Sequence, residues 1–383
     1  MNQKELSELR RRLRPDKCAI SHIYGCYVNG SSREIISYLD EPLGIMPQEE
    51  AEKYIGLLKK ALSGNLGRQL IDIVFSTRQV AEGDEHRLLM DLRSSELKNG
   101  EARGLLFQKI IDSLDMEENN YLILLAHDAY DVPHKNRNDE TDGSDEVFSY
   151  LLCCVCPVKG CKMELGYFPG ENEFHGCTAG QIVSPPELGF LFPAFDNRAA
   201  NIYNALFYSR KPEQLHQEFI DAVFRTEPPM SSAEQKEAFQ EALTEALEEA
   251  CSLHVMQNIH ECLVRKIEDH KERRDPEPPA VTAAEVGEIL TDCDVGEKQT
   301  QTFLKEWGAR FGEGAVLNPE NLIGSKNFDI RTAQASVSVD PDCTLLVETR
   351  VIDGRTYLLI PLEEDMEVNG IPVAYRETVD RSE

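Results

Sequence analysis

The sequence predicts an α+β protein: a mixed, largely antiparallel sheet domain with helices, then a helical segment, then a C-terminal helix-plus-β-hairpin module. Three observations carry this. Tyr121 to Val132 and Val147 to Val158 are strongly apolar on both alternating faces, as central strands covered on both sides are. From about Pro212 the apolar spacing becomes helical. Near the C-terminus, Asp353-Gly354 sits between two β-type runs, a hairpin signal.

The elements follow in order. Residues 3–14 place Leu6, Leu9 and Leu13 on one helical stripe, and Pro15 ends it. Cys18 to Val28 alternates like a strand, Asn29-Gly30 turns the chain, and a second strand follows at about Glu34 to Leu39. A helix after Pro47 carries Tyr54, Ile55, Leu58 and Leu62. Leu70 to Thr77 reads as a strand, and residues 84–98 and 101–114 read as helices. The acidic stretch Asn138 to Glu146 reads as a solvated hairpin loop, and residues 169–201, rich in Gly, Pro and Asn, read as irregular. Ser231-x-x-Glu234, Thr282-x-x-Glu285 and Asp294-x-x-Glu297 have the spacing of capping boxes. The expected domains are a sheet domain over 1–210, a helical segment over 211–274 packed on it, and a module over 282–383. A charged, proline-rich linker at about 270–281 precedes the module.

Composition excludes several classes. The 383 residues hold enough apolar side chains for packed cores, and 40 basic against 68 acidic residues give a formal charge of −28. So acidic a surface repels phosphate backbones and anionic headgroups, which disfavours nucleic acid and membrane partners. The longest apolar run, Tyr150 to Val158, is far short of the ~20 residues of a membrane-spanning helix. The opening Met-Asn-Gln-Lys-Glu has no apolar signal core, so a cytoplasmic location and reduced cysteines are expected.

Four constellations offer chemistry. Cys153-x-x-Cys156 with His175-x-Cys177 supplies zinc-ligand types. On a strand, however, Cys153 and Cys156 point to opposite faces, so buried thiols are the preferred reading and no metal or other cofactor is expected. His127 and Asp128, with His134 nearby, offer acid-base groups, but neighbours on a strand face apart. Arg10, Arg11, Arg12 and Arg14 form the densest basic cluster, a partner surface unless they pair with the protein's own acids. Phe190, Phe192 and Phe195 lie in a proline-bracketed segment and either face a partner or plug the core. An EF-hand reading of the acidic loop fails, because position twelve would be Ser149 rather than Glu. P-loop, dinucleotide, nucleophile-elbow and zincin motifs are absent from the sequence.

Several long segments resemble a bacterial family catalogued as a domain of unknown function, found in anaerobic Gram-positive bacteria. They are RRRLRPDKCAISHIYGCYVNG, CPVKG, GYFPGENEFH, ELGFLFPAFDNRAANIYNALFYSR and LVETRVIDGRTYLLIPLEEDMEVNG. The resemblance spans almost the whole chain and implies a bacterial cytoplasmic protein. It implies no activity, catalytic residue or cofactor. The resulting expectation is a non-enzymatic binding protein with a protein partner. The alternatives are an enzyme using His127, Asp128 or His134, and a nucleic-acid-associated protein using the basic helix.

Overall fold

The computed structural model describes residues 1–117, 119–135, 141–160, 164–177, 180–273, 275–323, 326–361, 366–368 and 371–373. The fold is α+β. The chain divides into two units: Met1–Gln235 with Arg273–Pro278, and Lys236–Glu272 with Pro279–Glu383.

The first unit is built on an eight-stranded sheet. Its strands are β1 (His22–Val28), β2 (Ile35–Pro42), β3 (Leu70–Val74), β4 (Tyr121–Lys135), β5 (Thr141–Gly160), β6 (Gln181–Val183), β7 (Leu188–Phe192) and β8 (Asn204–Ser209). The order is β2-β1-β4-β5-β7-β8-β3, with β6 pairing the far end of β5. Every pairing between these strands is antiparallel.

The longest ladder is β4–β5, running from Tyr121 opposite Pro157 to Lys135 opposite Thr141. Its alternation sorts side chains onto two cores. Ile123, Leu125, Leu151, Cys153 and Val155 face one. Leu124, Ala126, Phe148, Tyr150, Leu152, Cys154 and Cys156 face the other. Fully burying a side chain of this size contributes about 1.5–3 kcal/mol, so neither face tolerates water.

Helices therefore cover both faces. Against the first core pack α4 (Asp84–Ser94), α5 (Gly100–Ser113) and α6 (Gln217–Phe224), through Leu89, Leu106, Ile110, Phe219 and Val223. Against the second pack α1 (Gln3–Arg12) and α2 (Gln48–Lys60), through Leu6, Leu9, Ile55 and Leu58. The remaining short helix of this unit, α3 (Thr77–Glu82), is capped by Ser76 and buries no residue. Helix α1 starts in a capping box: the Asn2 amide donates to Glu5 at 2.8 Å, and the Glu5 amide donates to Asn2 Oδ1 at 3.1 Å.

Two sequence readings need correction here. Residues 169–201 are not irregular: β7 lies in the middle of the sheet with all five residues buried. Its strand pattern is hidden by flanking prolines and by Gly189. That glycine permits close approach, since a Cβ there would sit 2.5 Å from the Cys153 carbonyl oxygen. The expected acidic loop shortens, because strand pairing resumes at Thr141; residues 136–140 lie outside the described residues.

The second unit is helical with short β-ribbons. The core joins α7 (Ser232–Leu247) and α8 (Leu253–Arg273) to α9 (Ala283–Asp292) and α10 (Glu297–Phe311). Phe239, Leu243, Ile259 and Leu263 from the first pair meet Val286, Leu290, Phe303 and Trp307 from the second. The 211–274 segment thus contributes to two cores. Phe219 and Val223 of α6 join a sheet core, whereas the apolar stripes of α7 and α8 close a core with residues beyond the linker.

Ser231 caps α7 and Thr282 caps α9, each reciprocally with the glutamate three residues on. Asp294 caps nothing: it takes φ 59° in the turn after α9, and Gly296 stands at the start of α10. Asp353 and Gly354 both take positive φ, 50° and 74°, between strands Glu348–Ile352 and Arg355–Leu359, as a tight hairpin turn requires.

The segment between α8 and α9 exposes Asp275, Glu277 and Pro278. Proteases should nick there and release a C-terminal fragment of about 100 residues on a denaturing gel. Because the core of the second unit draws on both sides of the nick, the two fragments should still co-elute under native conditions. Separation without denaturant would contradict the shared core.

Candidate functional site

Alternation along β4 sends His127 and Asp128 to opposite faces of the sheet. Asp128 is buried on the α1 side. Its Oδ1 accepts the Ala19 amide at 2.7 Å and the Ala129 amide at 3.0 Å. Its Oδ2 accepts the Tyr150 hydroxyl at 2.5 Å, with Arg12 Nη2 3.7 Å away. Burial, and then the adjacent carboxylate, hold the Tyr150 phenol well above its ordinary value, so the proton stays on tyrosine.

Arg12 continues this network. It donates to the Ala129 carbonyl at 3.1 Å and lies 4.1 Å over the Tyr130 ring. Tyr130 donates to Glu8, which also pairs with Arg198 at 2.8 Å. Arg12, the Ala19 amide and Glu8 thus tie α1 and the segment after it to β4, and Glu8 also reaches Arg198. A carboxylate with four donors around it is a fastening and has little capacity left for moving a substrate proton.

On the other face, the half-buried His127 holds Nε2 2.8 Å from the Ser149 hydroxyl. Arg93 of α4 donates to the Ser149 carbonyl at 2.7 Å. Burial pushes His127 below its ordinary value; Glu96 and Asp128 oppose this, while Arg93 and Lys98 add to it. Ser149 was invisible as a partner from sequence, because the pairing needs the register that puts Ser149 opposite Ala129 and so diagonal to His127 on the same face. The backbone of His134 pairs opposite Asp142, and its side chain lies outside the described residues. His127 and Asp128 do not converge on one site.

The other candidates also separate. Cys153 faces one core, and Cys154 and Cys156 the other, with the latter two sulfurs 3.8 Å apart as free thiols. Burial pushes the Cys26 thiol up to about 12, so it stays protonated at neutral pH. His175 lies on the ribbon formed by Glu164–Phe168 and Glu173–Cys177, where it pairs with Glu171 at 3.0 Å and its ring meets Phe168 at 4.4 Å. The Cys177 side chain lies outside the described residues. Among the described residues no group of three His, Cys, Asp or Glu is placed to hold a metal ion.

Phe190, Phe192 and Phe195 are 0% exposed, so of the two readings offered by the sequence they take the core one and present no partner surface. The four arginines divide. Arg10 donates to the Leu62 and Gly64 carbonyls at 2.6 and 2.9 Å, and Arg12 is held as above. Arg11 and Arg14 are exposed.

A cavity of about 360 Å³ opens in the second unit. Phe239, Leu243, Ile259, Leu263, Leu322 and Phe328 supply its apolar wall. Lys236, Gln240, His260, Asn327, Asp329 and Arg331 supply its polar contacts. The cavity draws on α7, α8, the helix Pro319–Ile323 and the strand Phe328–Arg331, far apart in sequence. Spacing along one helix gives no hint of it.

A family model described as a domain of unknown function, DUF4317, matches residues 1–371. The chain belongs to this family. The match runs through both units of the DUF4317 chain, so the sheet and the cavity-bearing helices fall within one family region. No curated protein matches the chain. Among the described residues no helix is long and apolar enough to cross a membrane.

Two predictions follow from the sheet faces. Arg12→Gln removes a cation from beside a buried carboxylate and should cost about 1–3 kcal/mol in denaturant unfolding. Arg11→Gln and Arg14→Gln should leave the midpoint unchanged.

The second concerns pH. A histidine whose folded value is depressed stays neutral while the unfolded chain takes up a proton below about pH 6.5. Stability is therefore lost as pH falls through that value towards the folded one. His127→Gln should lose less melting temperature between pH 7.5 and 5.5 than the parent chain. Some dependence should persist, because burial also depresses His216 and His260.

Proposed function

We propose that this DUF4317 protein is a non-enzymatic binding protein of the cytoplasm, and that the cavity of its second unit is the ligand site. One contrast carries the reading. His127 and Asp128 are engaged in bonds within the sheet unit, whereas the cavity presents an apolar wall beside polar side chains, the usual composition of a small-molecule site. The free thiols packed in both sheet cores support a reducing compartment.

The basic helix supports a brace better than a nucleic-acid surface, since Arg10 and Arg12 spend their donors on the protein's own carbonyls. Phosphate contacts with Arg11 and Arg14 alone would be weak and strongly screened by salt.

The test is a thermal-shift screen of small metabolites on the full chain, with a parallel assay of ester and phosphoester hydrolysis. The expected result is a saturable rise in melting temperature with some compounds and no turnover. Turnover that disappears in both His127→Gln and Ser149→Ala would replace this reading with the enzymatic one.

A further inference from the structure

The cavity wall and the charges beside it specify more than binding. We infer that the cavity takes an amphipathic anion, a single acidic head on an apolar body, an inference that rests on the binding role proposed above.

Phe239 and Leu243 of α7, Ile259 and Leu263 of α8, and Leu322 and Phe328 contribute buried carbon from four elements. A volume of about 360 Å³ falls within the range of small-ligand pockets. A fully polar ligand would leave that wall unmatched, and its desolvation would go uncompensated.

The charge is specific. Lys236 and Arg331 both line the cavity, and neither has a carboxylate partner among the described residues. Several other cations of this unit are paired. Lys266 pairs with Glu285 at 2.6 Å, Lys326 with Glu268 at 2.8 Å, and Arg310 with Glu245 at 2.9 Å. In a chain of net charge −28, carboxylates are abundant, so two unmatched cations around one apolar wall are an attractive place for a ligand's negative charge.

Asp329 also lines the cavity, but its Oδ1 accepts the Ser338 hydroxyl at 2.7 Å. His260 donates its Nε2 proton to the Lys326 carbonyl at 2.8 Å, and its ring lies edge-on to Phe328 at 5.2 Å. With that imidazole neutral, the lining carries two positive charges and one negative, and a monoanion balances it.

The protein carries its own reporter. Trp307, its only tryptophan, lies edge-on 6.0 Å from Phe239 of the cavity wall. Its emission overlaps the absorption of 8-anilinonaphthalene-1-sulfonate, an anionic amphiphile. The experiment titrates the full chain with this probe and with its neutral counterpart, N-phenyl-1-naphthylamine, reading loss of Trp307 emission and the sensitised emission of the probe. Decanoate and decanol then compete for the bound probe.

The expected result is one sulfonate probe per chain, displaced by decanoate at least tenfold more effectively than by decanol. The double variant Lys236→Gln/Arg331→Gln should weaken the sulfonate probe and decanoate about tenfold and leave the neutral probe unchanged. The charge-keeping variant Lys236→Arg/Arg331→Lys should restore binding, which separates lost charge from a damaged fold. Equal binding of anionic and neutral probes, indifferent to the double variant, would overturn the anion assignment and leave the cavity as a ligand site. Failure of both probes to take energy from Trp307 would overturn the anion assignment and the cavity reading together.

Discussion

The first unit depends on one constraint: the β4–β5 ladder is apolar on both faces. A sheet with one wet face needs a single layer of helices, whereas this one needs two. That requirement explains why α1 and α2 cover one face while α4, α5 and α6 cover the other. It also explains why the most apolar short strand, β7, takes a central position beside β5. Edge positions go to β2, where most residues are partly or fully exposed, and to β3, the last strand of the order.

A buried carboxylate under such a layer is costly unless it is saturated. Asp128 is saturated by two backbone amides and a tyrosine, with an arginine close by, and the same groups locate α1. The basic cluster at the N-terminus is therefore partly a consequence of the acid on β4. Arg12 meets Asp128 and Tyr130, Arg10 meets carbonyls after α2, and what remains exposed is half of what the sequence displays. The net charge of the chain and the charge available to a partner are different quantities.

The α+β class was legible because period-two and period-3.6 patterns are local. The separation of Cys153 from Cys156, and of His127 from Asp128, was legible for the same reason: strand alternation is fixed by two residues of backbone. The central place of β7 was not, because its five residues stand between prolines and its glycine reads as a breaker. The partnership of His127 with Ser149 depends on register between strands. The cavity depends on four elements, two of them beyond the linker, and on Lys236 and Arg331 pairing with no carboxylate among the described residues. No window of sequence contains those facts. The Asp294 box failed through competition: the residue was taken by the turn that ends α9, whose left-handed backbone it adopts.

The interleaving of the two units has a consequence during synthesis. Helices α7 and α8 leave the ribosome before the residues that complete their core, from Val281 to Leu322. At translation rates of about 5–20 residues per second, Phe239, Leu243, Ile259 and Leu263 remain uncovered for several seconds while the sheet unit already has nearly all its sequence. The nascent chain thus carries an exposed greasy stripe at its trailing end, a natural target for holding chaperones. A message truncated between Pro279 and Val281 would leave a product with a complete sheet and a permanently orphaned helical face.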